Sequence, residues 1–329
     1  MEETSYLITG GYGFIGFNFI SWLLKNNLQP RNIINVDNIT YAAEYMLKEK
    51  KKFLKQYKCH KHFKYNICDT NKIEKLIRKY NVTHIINFAA ESHVDNSIKN
   101  PDIFIETNVK GTLTLLNLAK KYNLRYHQVS TDEVYGSVDP VKDVVNENFK
   151  LNPSSPYSAS KLSADLLVQA YVKTFGINAT ISRCTNNYGP WQHNEKLIPK
   201  VITNCFHFIN IPVYGDGKQM RNWIYVDDHC EAIYKIIIKN DIAGEIFNVG
   251  SDTLITNIDL ILMILKITSR SEILIKFVDD RPGHDFCYHL CSDKIKQMFD
   301  WKEQTNFESG LNKTIEFYKD YFFEGKLKC

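Results

Sequence analysis

The run Gly10-Gly11-Tyr12-Gly13-Phe14-Ile15-Gly16 constrains this chain more than any other segment. It follows a β-type run at 6–9 and opens a stretch of helical periodicity near 14–27. Glycines between a strand and a helix permit a tight turn, close helix–strand packing and close approach of the backbone to a phosphate. The helix that follows points free N–H groups and its positive dipole end at such an anion. The run reads as G-x-G-x-x-G from Gly11 or as G-x-x-G-x-x-G from Gly10, in the strand–turn–helix context that dinucleotide binding requires. Asp37 closes the next β-type run, about 20 residues on, where a carboxylate binds the adenine ribose hydroxyls. An acid there favours NAD over NADP, because it would repel a 2′-phosphate.

Further β-type runs occur at 33–37, 84–89, 125–130 and 178–183. Between them lie longer periodic stretches near 44–57, 70–80, 101–122 and 156–175. This alternation predicts an α/β fold with a Rossmann-type, doubly wound parallel sheet. The segment 102–121 predicts a helix with Ile103, Ile105, Val109, Leu113, Leu116 and Ala119 along one face. Beyond about residue 185, Gly and Pro punctuate the chain at Gly189-Pro190, Pro212, Gly215, Gly217 and Pro282-Gly283. The expected division is a NAD-binding domain over 1–185 and a smaller C-terminal substrate lobe over 186–329. Segments near 219–250 are expected to return to the first domain, and 324–329 to form a frayed tail.

Composition narrows the function classes. The 329 residues are 44% hydrophobic and 24% charged, with a formal net charge of +4, which suits a globular protein and not a nucleic-acid binder. The basic run Lys48-Glu49-Lys50-Lys51-Lys52 reads as a solvated helix face. Eight cysteines form no C-x-x-C pair, so neither a metal site nor a disulfide framework is signalled, and reduced thiols fit a cytoplasmic setting. The acidic opening Met1-Glu2-Glu3 is unlike a signal peptide, and no apolar run approaches the ~18 residues that span a membrane.

Two segments carry reactive groups. Ser130-Thr131-Asp132-Glu133-Val134-Tyr135-Gly136 places a hydroxyl, adjacent carboxyls and a phenol at a predicted strand end, where ligands collect in α/β sheets. An isolated Asp-Glu pair is commonly a solvated turn; at a strand end it can supply a proton donor and a proton acceptor. Tyr157 and Lys161, four apart after Pro156, share one helix face, where a cation lowers a phenol's pKa from ~10. Tyr57 and Lys61 repeat the interval and read as a surface coincidence.

Together T-G-G-Y-G-F-I-G, S-T-D-E-V-Y-G and Y-S-A-S-K resemble the extended short-chain dehydrogenase/reductases, and within them the nucleotide-sugar 4,6-dehydratases. Further matching stretches are D-N-I-T-Y-A (37–42), F-A-A-E-S-H-V-D-N-S-I (88–98), T-N-N-Y-G-P (185–190), E-K-L-I-P (195–199), P-V-Y-G-D-G (212–217), R-N-W-I-Y-V-D-D-H (221–229) and D-R-P-G-H-D (280–285). The resemblance implies bound NAD, a nucleotide-sugar substrate and a homodimer packed through the helices at 101–122 and 156–175. It implies that Tyr157 takes the proton of the sugar 4-hydroxyl, Lys161 holds the nicotinamide ribose and Thr131 bonds the C4 oxygen. Glu133 would remove the C5 proton and Asp132 would protonate the departing C6 hydroxyl. The implied NAD contacts are Gly10, Gly13, Phe14, Ile15, Gly16, Asp37, Asn38, Thr40, Asn66, Ile67, Phe88, Ala89, Ala90, Ser92, Thr107, Tyr157, Lys161 and Asn187. The implied substrate contacts are Ser92, His93, Thr131, Asn186, Lys196, Leu197, Pro212, Tyr214, Arg221, Asn257, Arg281 and His284, with the two arginines suited to a diphosphate. Asn66 departs from the family, which usually has Asp beside the adenine; an amide still accepts a hydrogen bond there and adds donors.

The resemblance leaves a dTDP- or UDP-glucose dehydratase beside two alternatives. One is a UDP-N-acetylglucosamine 4,6-dehydratase, with or without inversion at C5. The other is a nucleotide-sugar 4-epimerase, which would need no acid/base pair at Asp132–Glu133.

Overall fold

The computed structural model describes residues 4–28, 30–280 and 283–324. Its centre is a seven-stranded, all-parallel sheet. The strands are β1 (Ser5–Thr9), β2 (Asn32–Val36), β3 (His60–Phe63), β4 (His84–Asn87), β5 (Arg125–Thr131), β6 (Ala179–Cys184) and, after an excursion, β10 (Ile246–Val249). Their order is β10-β6-β5-β4-β1-β2-β3, so the winding reverses between β1 and β4, where such folds open a crevice at the strands' carboxyl ends.

Neighbouring residues of the inner strands face opposite sides, as strand geometry requires. Leu7, Ile34 and Ile85 enter one core with the helices Thr70–Tyr80, Gly111–Tyr122 and Pro156–Phe175. Ile8, Ile33 and Ile86 enter the other, with the helices Phe14–Lys25, Leu197–His207, Val226–Ile238 and Asn257–Ile267. Burying each such side chain contributes roughly 1.5–3 kcal/mol.

Chain on both sides of β10 builds the smaller layers. β7 (Asn186–Tyr188), β8 (Ile211–Tyr214) and β9 (Met220–Tyr225) precede β10; β11 (Leu254–Thr256), β12 (Ile275–Val278) and β13 (Cys287–Tyr288) follow it. β9 pairs with β7, β11 and β13, while β8 pairs with β12.

Four details differ from expectation. His60–Phe63 is a strand without an apolar alternation, because it is the sheet's edge and all four residues are half-exposed. The helix expected over 44–57 is two pieces, Tyr41–Glu44 and Leu47–Lys55, broken at Met46 in the left-handed region (φ 54°). The segment 102–121 is helical, but Ile105–Lys110 is a π-helical insert that rotates the face by its extra residue per turn. Ile103 and Ile105 therefore stand exposed, while Phe104, Asn108, Leu115, Leu116 and Leu118 are buried. Finally, Lys50 is not part of a solvated face: it is 0% exposed. The expected tail at 324–329 lies outside the described residues, apart from the backbone of residue 324.

Candidate active site

The glycine turn is shaped for backbone alone. Gly10 holds φ +65°, and a Cβ there would fall 2.8 Å from the Ala89 nitrogen; one on Gly16 would fall 2.3 Å from the Gly10 carbonyl. Gly13 caps the helix, whose first-turn N–H groups at Phe14, Ile15 and Gly16 have no acceptor within the helix. Beside it, Asp37 accepts hydrogen bonds from the Tyr12 N–H (2.8 Å) and the Ile39 N–H (2.7 Å). Burial pushes this carboxyl up, and those N–H groups together with Lys50 oppose the shift.

Two adjoining cavities open along the carboxyl ends of the strands, sharing Gly10, Gly13, Ala42, Phe88 and Ala90 as walls. The first, about 170 Å³, is also lined by Asp37, Asn38, Thr40, Asn66, Ile67, Ala89 and Thr107. The second, about 250 Å³, is also lined by Phe14, Ile15, Gly16, Ser92, Thr131, Asp132, Glu133, Tyr157, Lys161, Asn186, Asn187 and Lys196. A cradle of bare backbone, open N–H groups and a ribose-facing carboxylate fits a dinucleotide laid across both. Asn66 lines the smaller cavity and spends its carbonyl oxygen on the Cys68 N–H (2.9 Å), which leaves its amide donors.

The chemistry sits at the end of β5. Thr131 accepts from the Glu133 N–H (3.3 Å) and donates to Asp132 Oδ1 (3.2 Å), which starts the one-turn helix Asp132–Tyr135. Burial, reinforced by the neighbouring Glu133 charge, pushes Asp132 up to about 7. Its Oδ2 is buried without a hydrogen-bond partner among the described residues. Tyr157 enters on the first turn of Pro156–Phe175, started by Pro156 and a reciprocal Ser155–Ser158 capping box (3.0 and 3.1 Å). Lys161, one turn on, donates to the Val129 carbonyl (2.7 Å). Burial lowers its ammonium, opposed by Asp165, which Arg183 Nε holds at 2.9 Å.

The expectation that a cation lowers Tyr157 is not met. Burial and then the Glu133 charge push the phenol well above its ordinary value.

Other expected substrate contacts do not line the two cavities, but the Arg221 charge reaches Asp132 in the larger one's wall. His93 caps Val94–Lys99 with Nε2 3.9 Å from Glu195, and Leu197 begins its helix. Pro212, Tyr214, Asn257 and His284 gather in the smaller lobe: Tyr214 meets the His284 ring edge-on, His284 Nδ1 lies 2.6 Å from Asp280, and Asn257 Oδ1 is buried without a partner among the described residues. Arg221 lies over the Tyr288 ring and donates to the main-chain carbonyls of Met220, Asp285 and Phe286, so it ties β9 to the segment before β13. Arg281 lies outside the described residues.

Sequence reasoning missed several groups here. Asn108, inside the π insert, bonds both the N–H and carbonyl of Glu91 (2.9 and 3.1 Å) and Ser160 Oγ (2.9 Å). Cys184, Thr185, His193 and Glu195 join the larger cavity's wall. Of these, Glu195 and Thr185 had a signal, as members of the E-K-L-I-P and T-N-N-Y-G-P stretches.

The GDP-mannose 4,6 dehydratase family matches residues 7–314. The chain belongs to the nucleotide-sugar 4,6-dehydratase family. It is 40% identical to the dTDP-glucose 4,6-dehydratase of Escherichia coli, over 95% of this chain and 92% of that one. The dTDP-glucose 4,6-dehydratase of Streptomyces venezuelae, solved with NAD bound, superposes with a TM-score of 0.92 at 37% identity, covering 98% and 100% of the two chains. That of Bacillus anthracis, in complex with NAD, gives 0.89 at 38% identity and 97% of each. Among the described residues of this family member, no helix is long and apolar enough to cross a membrane, and no three His, Cys, Asp or Glu side chains gather as metal ligands.

Proposed function

We propose that the protein is an NAD-dependent hydro-lyase converting a nucleoside-diphosphate glucose, dTDP- or UDP-linked, to the 4-keto-6-deoxy sugar. One observation carries this: Thr131, Asp132, Glu133, Tyr157 and Lys161 line a single cavity that adjoins the glycine cradle. NAD, when bound, accepts a hydride from sugar C4 and returns it to C6, and its cationic nicotinamide opposes the upward shift of Tyr157. The Tyr157 oxygen takes the 4-hydroxyl proton as Thr131 bonds the C4 oxygen and Lys161 holds the ribose. The resulting 4-ketone acidifies C5–H; the Glu133 carboxylate removes that proton, and Asp132 delivers its own to the C6 oxygen, which leaves as water. Glu133 then reprotonates C5. A carboxyl raised to about 7 holds the proton this step needs, and adjacency in sequence matches an acid and a base to adjacent carbons. The cluster of Tyr214, Asn257 and His284 is assigned to the nucleotide end, with 1–185 plus the returning β10 as the cofactor domain.

The assembly is proposed to be a homodimer through 101–122 and 156–175, which expose Ile103, Ile105, Leu166 and Phe175. Light scattering should read twice 38.3 kDa. The seven cysteines among the described residues are free, which suits the reducing cytoplasm.

The deciding experiment offers dTDP-glucose, UDP-glucose and UDP-N-acetylglucosamine separately, without added NAD. Mass spectrometry reads the loss of one water and NMR assigns C5. Loss of water from a glucose nucleotide is expected; none from any of the three sinks the proposal.

A further inference from the structure

Lys50 is fully buried, whereas Lys48, Lys51, Lys52 and Lys55 of the same helix are exposed. Its ammonium donates to the Tyr12 carbonyl at 2.9 Å and lies 5.7 Å from the Phe17 ring centroid. Tyr12 stands in the middle of the glycine turn. Its N–H is held by Asp37, so the two charged groups grip this residue's backbone from both sides. The Tyr12 carbonyl belongs to the peptide whose N–H, on Gly13, donates to the Gly10 carbonyl at 2.9 Å and closes the turn. A carbonyl of this turn swung toward the cavity would oppose a pyrophosphate; held on a buried ammonium, it faces away.

We propose that Lys50 is a positioning residue for the dinucleotide: a resident cation behind the glycine turn that locks the Tyr12 peptide and adds positive potential to the phosphate cradle. The proposal rests on the NAD-binding reading above. Glycine turns of this kind hold phosphate with N–H groups and the helix dipole, whose fractional charge a full unit charge at close range exceeds. Lys50 lines neither cavity, so it acts through the backbone.

Burial lowers the Lys50 ammonium to about 8, with Asp37 opposing. The charge is therefore present at neutral pH and lost as pH rises through that value. The ionisable groups around it are Asp37 at the end of β2, the Tyr12 phenol, pushed up to about 12, and His193, which burial lowers and which feels the Lys50 charge. His62 on β3, edge-on to Tyr12, is lowered to about 4. None of these loses a positive charge on the alkaline side, but Lys161, the other ammonium lowered by burial, does, so the alkaline weakening that Lys50→Met abolishes is the signature of Lys50.

The test follows NAD released from the loaded protein, by chromatography after denaturation and by its rate of loss in buffer. At about pH 7, Lys50→Met should release NAD at least about ten-fold faster than the parent, with Lys50→Arg within about three-fold, a ten-fold change being about 1.4 kcal/mol. The parent's release should quicken several-fold between about pH 7 and about pH 9.5, and that of Lys50→Met should not. Equal retention by Lys50→Met, or a flat parent profile, overturns the proposal. A flat parent profile needs no variant, so the proposal can be overturned even if Lys50→Met does not fold. A parent that binds no NAD at all fails the cofactor reading first, and this proposal with it.

Discussion

Two lysines are buried beside the dinucleotide cradle, and they are built alike. Lys161 donates to the Val129 carbonyl at 2.7 Å and Lys50 to the Tyr12 carbonyl at 2.9 Å. Each ammonium is lowered by burial and supported by an aspartate, Asp165 or Asp37. They differ in what they face. Lys161 shares the cavity wall with Tyr157, whereas Lys50 stands behind the turn. A cation that touches reacting groups leaves a spacing signature, Tyr and Lys four apart on a helix. A cation that works through a carbonyl leaves none, and here it hides among exposed lysines.

Substitutions can break or sharpen that contrast. The largest effect is expected at Lys161: Lys161→Met should cut turnover by roughly 10²–10⁴-fold with the far-UV circular dichroism unchanged. If it instead only loosened NAD, the two lysines would be equivalent and the contrast would fail. Glu133→Gln should build up NADH absorbance on the enzyme yet release no dehydrated sugar; full turnover would remove Glu133 from the mechanism. Asp132 must be protonated to act as the acid, so the dehydration rate should fall as pH rises above about 7, and Asp132→Asn should flatten that limb while slowing turnover. Asn108→Ala leaves the Glu91 N–H and carbonyl unpaired and should cost about 1–3 kcal/mol in denaturant unfolding. Smallest of all, Lys52→Ala, on the exposed side of the Lys50 helix, should stay within about 0.5 kcal/mol of the parent and hold NAD equally well.

Legibility followed how local each signal was. The glycine turn, Asp37, the strands of the sheet's interior and the Tyr157–Lys161 pair each announce themselves within a few residues, and the structure places them around one crevice. β3 was silent because an edge strand of half-exposed residues needs no alternation. The π insert was silent because periodicity assumes an unbroken helix, and one extra residue per turn moves Ile103 and Ile105 off the buried face. The direction of the Tyr157 shift was misjudged because spacing reports a neighbouring cation but not how deeply the phenol is buried beside Glu133. Arg221 is legible as a cation, but not as one bound to three main-chain carbonyls.

The sheet is finished late. β6 ends at residue 184, and its outer neighbour β10 begins at residue 246, so the edge of β6 waits 62 residues (246 − 184) for its partner. At roughly 5–20 residues per second of synthesis, that is a wait of about 3–12 s with a pairing edge uncovered. The intervening chain contains β7, β8 and β9, which form the start of the smaller lobe. The ribosome thus delivers the first part of the lobe before the strand that seals the sheet, and a nascent chain stalled between these points would carry an open, aggregation-prone edge.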